Sequence, residues 1–194
     1  SRFLQTRAED VARWRERLAA VAAGSQTRPS PAADSSAVRG EPVEPRALRI
    51  GLVWQGQFAG QDNQMAERSI PPRLMQRLVE AHPEHTWISL QHGAPPLATA
   101  KVIDWTADTV EFTQMAALID ALDLVISIDT GAAHLAAALG AKTWVLLREA
   151  GDWRYGVSGE TCAWSPTMRL FRQDRARRWE PVLASVSETL RAQA

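Results

Sequence analysis

The feature that most constrains the fold is a strand, a turn and a helix in the second half of the chain. The mainly apolar run Leu124–Ile128 is typical of a buried strand with both faces covered. A polar Asp-Thr-Gly turn follows at 129–131, and the alanine-rich segment 132–139 predicts a helix that ends at Gly140. The first turn of a helix leaves backbone N–H groups without internal partners, and the helix dipole adds partial positive charge there. The sequence therefore predicts an anion site at this turn, most often for a phosphate, and hence a nucleotide or sugar-nucleotide ligand.

Strands and helices alternate from Ala47 to the end of the chain. This alternation predicts an α/β domain with a Rossmann-like parallel sheet and helices on both faces. The predicted strands are 48–54, 86–90, 102–105, 124–128 and 143–147, and the predicted helices are 71–81, one capped by Thr113, 132–139 and 180–191. Ligands of such sheets bind at the carboxyl ends of the strands, near the point where the strand order reverses.

Three segments differ in composition. Residues 1–23 predict an N-terminal interdomain helix, because Val11, Trp14, Leu18 and Val21 recur at helical spacing. Residues 24–46 hold prolines, serines and alanines with almost no large apolar side chain, which favours a flexible linker or insertion over a recognition segment. Residues 47–194 form the predicted nucleotide-sugar-binding, Rossmann-like domain.

Composition excludes several classes of protein. Lys plus Arg and Asp plus Glu both number 22, so the zero formal charge favours neither nucleic acid nor an anionic membrane as the partner. The single cysteine fits a reducing compartment, and no secretory signal or bilayer-spanning stretch is present, so we expect a cytoplasmic protein. The four histidines and one cysteine show no metal-ligand spacing, and a serine-hydrolase elbow is absent. A first residue of Ser rather than Met favours a fragment or a processed product.

The loops after two other predicted strands would meet the Asp-Thr-Gly turn at one edge of the sheet. The first contains Gln55 and Gly56 and continues to Asn63; its spacing fits neither a Walker loop nor a dinucleotide fingerprint. Arg68 ends this loop and is either a fork donor for a diphosphate or an exposed surface charge. His92, after the second strand, is a weaker candidate for ligand contact.

Within the turn itself, the residues differ in what they can offer an anion. Thr130 has a hydroxyl and an N–H, and Gly131 allows close approach to its backbone. A carboxylate beside a diphosphate is repulsive, so Asp129 is predicted to cap the helix or hold the loop. His134 lies one turn into the helix and is the candidate catalytic residue, because it could stabilise charge on a leaving group. A histidine packed against the sheet is the open alternative.

Four stretches, in order, resemble the donor-binding half of family 9 glycosyltransferases, which are heptosyltransferase-like. They are Ile-Gly-Leu-Val-Trp-Gln-Gly at 50–56, Arg-Ser-Ile-Pro at 68–71, Ser-Ile-Asp-Thr-Gly-Ala-Ala-His-Leu-Ala at 127–136, and Asp-Trp-Arg-Tyr at 152–155 with the segment 165–173. The likeness is greatest to bacterial proteins in which this half follows tetratricopeptide repeats.

The resemblance implies the C-terminal half of a GT-B fold. It implies a nucleotide-diphospho-sugar as the donor substrate, no cofactor, and inverting, metal-independent transfer. It places Thr130, Gly131 and His134 at the donor diphosphate, Asp129 in the same loop, and Arg68 on the phosphates. The loop of Gln55 and Gly56 would lie over the donor, and the positions around Val110 and Phe112 would flank the base.

The resemblance also bears on activity. In such enzymes the N-terminal domain binds the acceptor and supplies the general base, and nothing in these 194 residues resembles it. We therefore expect this chain alone to bind donor weakly and to transfer nothing, with an acceptor domain or tetratricopeptide repeats in the full-length protein. Two alternatives stay open: a truncated non-catalytic remnant or protein-interaction module that keeps the fold, and an epimerase-like protein with a similar ligand.

Overall fold

The computed structural model describes residues 3–25, 46–56 and 68–193. Its helices and strands, in chain order, are α1 (Ala8–Ser25), β1 (Arg49–Val53), α2 (Pro72–Ala81), β2 (Thr86–Ser89), β3 (Val102–Asp104), α3 (Phe112–Asp120), β4 (Leu124–Ile128), α4 (Gly131–Ala138), β5 (Thr143–Leu147), β6 (Thr161–Cys162), β7 (Ser165–Arg172) and α5 (Trp179–Arg191). Short 3-10 helices lie at Thr106–Asp108 and Trp153–Tyr155.

The strands form one seven-stranded sheet in the order β3-β2-β1-β4-β5-β7-β6. Every pairing in the described residues is parallel except that of β6 with β7. The strands β1, β2 and β3 are added in sequence toward one edge of the sheet, and β4 then pairs with the other side of β1. The strand order therefore reverses between β1 and β4, and the carboxyl ends of these two strands flank the crevice in which ligands of such sheets bind.

Helices cover both faces of the sheet, as the alternation predicts. One face packs against α2 and α5 through Leu74, Leu78, Val182 and Val186, and the other packs against α1, α3 and α4. Both faces of β4 are therefore buried, which explains its lack of polar alternation. The α/β class with a Rossmann-like, GT-B-like parallel sheet is confirmed.

The N-terminal helix is part of this layered core. Val11, Trp14 and Leu18 are buried against the same face as α3, and Trp14 lies 5.4 Å from Trp105, ring centre to ring centre. The guanidinium of Arg17 lies over the Trp105 ring at 4.4 Å. The helix ends at Ser25, and most of the predicted linker 24–46 lies outside the described residues.

An ion pair fixes the amino ends of the two central strands. The Arg49 side chain donates to both carboxylate oxygens of Asp123, at 2.8 and 3.1 Å, and the Arg49 main-chain N–H donates to the same group at 2.9 Å. Burial alone would raise the pKa of Asp123, but these hydrogen bonds outweigh it and hold that pKa below its usual value.

Two details of the predicted secondary structure are wrong. The helix α3 begins at Phe112 with Glu111 at the capping position, so Thr113 lies inside its first turn rather than capping it. The strands β6 and β7 were not predicted, because β6 has only two residues and Arg169 and Arg172 interrupt the apolar pattern of β7. In the structure Arg169 pairs with Glu160 at 3.0 Å and lies over the ring of Phe171.

Candidate functional site

A cleft of about 510 Å³ opens at the carboxyl ends of β1 and β4. The structure brings together all of the predicted site residues along its walls: Gln55, Gly56, Arg68, Asp129, Thr130, Gly131 and His134. Their convergence is a fact of the fold, whereas their binding roles remain predictions. The rest of the loop after Gly56, residues 57–67, lies outside the described residues.

The turn before α4 is held by hydroxyl groups. Ser127 donates to the carbonyl of Ile128 at 2.7 Å, and its oxygen lies 2.9 Å from the Thr130 hydroxyl. Because the proton of Ser127 is used on Ile128, Thr130 is the donor in the second contact. The Thr130 hydroxyl therefore holds the turn, and what Thr130 offers an anion is its main-chain N–H.

The backbone at the start of α4 is open to the cleft. Thr130 has an extended conformation, and Gly131 is the first residue of the helix. Among the described residues, none has an atom within 4 Å of a Cβ added at Gly131, so the backbone is uncovered at this position. The earliest N–H groups of a helix have no intrahelical acceptor, which makes this end suited to a negative ligand.

Asp129 does not cap the helix, which corrects one of the two predicted roles. Its carboxylate accepts a hydrogen bond from the Tyr155 hydroxyl at 2.8 Å and lies 3.2 Å from Nε2 of His134. The Tyr155 hydroxyl also lies 3.3 Å from that Nε2, and the two rings stack at 6.1 Å. The carboxylate thus orients the imidazole, in line with its other predicted role of holding the loop.

The protonation states of this group follow from its surroundings. Burial opposes the charge on Asp129, but the hydrogen bonds from His134 and Tyr155 outweigh it and keep the pKa of Asp129 below its usual value. Burial and the nearby carboxylate raise the pKa of the Tyr155 phenol above its usual range. At neutral pH the group therefore contains an aspartate anion and a neutral phenol donor.

Two arginines bring positive charge to the cleft. Nη1 of Arg68 lies 3.5 Å from the main-chain oxygen of Asp129 and 3.8 Å from its carboxylate. Arg154 comes from the 3-10 helix Trp153–Tyr155, where both oxygens of Asp152 accept from its guanidinium at 2.8 and 3.1 Å. Asp152 also caps this short helix through the N–H of Arg154 at 2.9 Å, so the arginine is held in place at the cleft wall.

The opposite wall is fixed by Gln91, which sequence reasoning did not single out. Its side-chain oxygen accepts from the N–H groups of Trp54 and Gln55 at 3.0 and 2.8 Å, and its amide donates to the carbonyl of His92 at 3.0 Å. The Gly56 N–H donates to Ser69 at 3.2 Å. The loop after β1 is therefore tied to the loop after β2.

The predicted base-flanking positions differ in their placement. Phe112 lines the cleft and is 69% exposed, so a flat aromatic face is available to a ligand ring. Val110 is exposed but does not line the cleft. His92 is at the same end, where its Nε2 lies 3.3 Å from the Thr109 hydroxyl.

In the described part of the chain, no helix is both long enough and apolar enough to span a bilayer. Away from the cleft, His82, Glu84 and His85 bring potential metal-ligand atoms within 4.8 Å of one another. The sequence analysis, which found no metal-ligand spacing among the histidines, did not predict this group.

Comparisons with known proteins agree with the fold. The model of glycosyltransferase family 9 (heptosyltransferase) matches residues 106–179, which include the turn, α4 and Tyr155. Protein FlbA of Caulobacter vibrioides is 28% identical over 153 residues, covering 74% of this chain and 25% of FlbA.

Two solved structures share the fold. One is a family 9 glycosyl transferase from Veillonella parvula, with a TM-score of 0.55 and 12% identity over 98% of this chain and 54% of that one. The other is the heptosyltransferase WaaC of E. coli with ADP, with a TM-score of 0.52 and 16% identity over 80% of this chain and 47% of that one. The chain thus spans a quarter of FlbA and about half of each solved transferase.

Proposed function

We propose that this chain is the donor-binding part of a family 9 type glycosyltransferase and that its cleft binds a nucleotide-diphospho-sugar. The observation that carries the proposal is the cleft itself, in which a helix N-terminus, two arginines and an oriented histidine meet at the strand-order reversal. The family match over 106–179 supports it, since that segment supplies the turn, His134 and Arg154.

In this proposal the diphosphate lies against the main-chain N–H groups of Thr130 and Gly131. Arg68 and Arg154 add charge from two sides, and Arg68 is able to act as a fork donor. When the bond to the sugar breaks, negative charge grows on the diphosphate, and groups already in place stabilise it without reorganisation. The transfer would be inverting and would need no metal at the diphosphate.

His134 would be the catalytic residue of this half of the site. Asp129 accepts the Nε2 proton of His134, so the imidazole reaches an anion as a donor through Nδ1 only in its doubly protonated form. The aspartate holds the ring in place. Tyr155, which donates to the same carboxylate, is a positioning residue.

The partner of the donor site would lie elsewhere in a larger protein. We propose an acceptor-binding domain, or tetratricopeptide repeats, as the source of the general base and of acceptor recognition. The partial coverage of FlbA and of both solved transferases supports this. The 194 residues alone are then expected to bind donor and to leave an acceptor sugar unchanged.

Isothermal titration calorimetry with ADP, other nucleoside diphosphates and their sugar conjugates tests the proposal. Loss of one charged contact should cost about 1.4 kcal/mol, so Arg68→Ala and His134→Ala should each weaken binding about tenfold. Arg191→Ala removes an exposed guanidinium from the last turn of α5 and should change nothing.

Absence of binding by every nucleotide would refute the donor site and favour a remnant or an interaction module. Equal weakening by Arg191→Ala would show that binding reflects overall charge alone. If a nucleotide-sugar is bound and recovered with an isomerised sugar, the cleft belongs to an epimerase-like protein. Product analysis by chromatography distinguishes that outcome from unchanged donor.

A further inference from the structure

A second group of chemically active side chains lies at the other end of the sheet, where α2 leads into β2. His82 follows the last residue of α2, and His85 precedes the first residue of β2. Their exposed fractions are 1% and 6%, whereas Glu84 between them is exposed. This turn is at the amino ends of the strands, so the cleft at the carboxyl ends makes no use of it.

The three side chains form a compact set of ligand atoms. Oε1 of Glu84 lies 3.1 Å from Nδ1 of His82 and 3.7 Å from Nε2 of His85. A tetrahedral zinc ion with bonds of about 2.0–2.1 Å keeps neighbouring ligand atoms about 3.3–3.4 Å apart. These two distances fall on either side of that separation, and all three ligand atoms lie within 4.8 Å of one another. An ion therefore fits between them once the side chains draw closer together.

The buried ring of His85 supplies an independent observation. Its side chain is shielded from solvent, and among the residues that the structure describes its Nε2 has no hydrogen-bond partner, although it lies 3.7 Å from Oε1 of Glu84. An unsatisfied polar atom in the interior costs about 1–3 kcal/mol.

The other histidine already has the outer contact that metal ligands have. Nε2 of His82 lies 2.7 Å from the Ser187 hydroxyl on α5, and the carbonyl of His82 accepts from the Trp87 indole at 3.0 Å. Ligating histidines typically donate their second ring N–H to an oxygen, which fixes the ring and its tautomer. The His82 ring is thus oriented with Nδ1 toward Glu84.

We propose that His82 Nδ1, Glu84 Oε1 and His85 Nε2 bind one divalent transition-metal cation, of which zinc fits best. Two imidazoles and one carboxylate favour zinc over magnesium or calcium, which prefer oxygen ligands. Solvent supplies the fourth ligand on the side of Glu84, the exposed member. Through Ser187, the ion would tie the α2–β2 turn to α5.

Binding requires a change of tautomer at both histidines. Without metal, Nδ1 of His82 donates to the Glu84 carboxylate at 3.1 Å. When Nδ1 of His82 binds the cation, its proton moves to Nε2, which then donates to the Ser187 hydroxyl. The Leu48 N–H donates to Nδ1 of His85 at 3.4 Å, so without metal the ring proton is on Nε2. The cation takes the Nε2 lone pair, and the proton moves to Nδ1. The Leu48 N–H then loses a long hydrogen bond, and because Leu48 is only partly buried, water can replace it.

Titration calorimetry with zinc chloride on the 194-residue chain tests the site. We expect one zinc ion per chain, and at least tenfold weaker binding by Glu84→Gln. Glu80→Gln is the matched control, because it removes a carboxylate one turn earlier that bonds only to Gln76 in the structure. Equal affinities of the two variants, or no binding by the parent chain, would overturn the proposal.

Nitrogen-15 spectra of the histidine rings give a second, independent readout. The His85 signal should change from the Nε2–H to the Nδ1–H tautomer when one equivalent of zinc is added. Zinc that leaves the His85 tautomer unchanged would be bound elsewhere, and the proposed ligand set would be wrong. Neither measurement depends on donor binding, so failure here does not bear on the proposed function.

Discussion

Replacing Tyr155 with phenylalanine isolates the hydrogen bond that holds the carboxylate of Asp129. The ring is 3% exposed and packs among Val145, Leu147 and Leu170, so Phe preserves the packing and removes one hydroxyl. A hydrogen bond to a charged group contributes about 1.5–3 kcal/mol, and one to a neutral group about 0.5–1.5 kcal/mol. Because His134 remains beside the carboxylate, we expect a loss of about 2 kcal/mol at pH 7.

The loss should depend on pH in a defined direction. The folded pKa of Asp129 lies below its unfolded value, so the carboxylate contributes stability above pH 4 that disappears as pH falls through the folded pKa. Without the Tyr155 donor that pKa rises. Below the folded pKa of Asp129, the parent chain and Tyr155→Phe differ only by a hydrogen bond to a neutral group. The difference in their unfolding free energies should therefore shrink toward about 1 kcal/mol.

Urea unfolding of both chains between pH 7 and pH 3 measures this difference. Thr189→Val is the control, because its hydroxyl donates to the carbonyl of Ser185 at 2.8 Å and no carboxylate is involved. Its effect should not vary with pH. A Tyr155→Phe difference below about 0.5 kcal/mol at pH 7, or one that is constant with pH, would refute the role assigned to this hydrogen bond.

Three further substitutions test the framework around the cleft, each by urea unfolding. Gly51→Ala places a Cβ 2.6 Å from Leu90 in a packed layer and should cost about 1–3 kcal/mol; a neutral effect would show that this layer is loose. Asp123→Asn removes the ionic partner of Arg49 and should lower the free energy of unfolding by about 2 kcal/mol at pH 7. This loss should shrink as pH falls through the lowered pKa of Asp123. A loss that grows in acid would contradict the pairing. Gln91→Met keeps the side-chain volume but leaves the main-chain N–H groups of Trp54 and Gln55 without their acceptor, so the free energy of unfolding should fall by about 2–4 kcal/mol. An unchanged urea midpoint would mean that other acceptors replace the Gln91 oxygen.

The strand–turn–helix part of the site was predictable from sequence because its residues are neighbours in the chain. An apolar run, a polar turn and an alanine-rich helix each have a local pattern, and β4 and β5 have the predicted bounds. The convergence of Gln55 and Arg68 on this turn was predictable only through a rule of parallel sheets, that strand ends meet at one edge.

The residues that sequence reasoning missed act over long separations. Tyr155 is 26 positions from Asp129, and Gln91 is 36 positions from Gln55, so no local pattern links them. The group of His82, Glu84 and His85 was not predicted for another reason. These three residues lie within one tight turn. Whether their side chains converge depends on the backbone conformation of that turn, which the sequence pattern does not show.

Asp129 shows how a residue that looks unfavourable for anion binding serves the site. In water two unit charges 4 Å apart interact by about 1 kcal/mol, and by about 4 kcal/mol near a protein surface, so an isolated carboxylate would weaken a diphosphate complex. In this site the carboxylate already has hydrogen-bond partners in Tyr155 and His134, and the guanidinium of Arg68 lies 3.8 Å away. In the proposed complex, a diphosphate would therefore meet an imidazole that the Asp129 carboxylate holds from behind. Removing Asp129 would free that ring more than it would relieve repulsion.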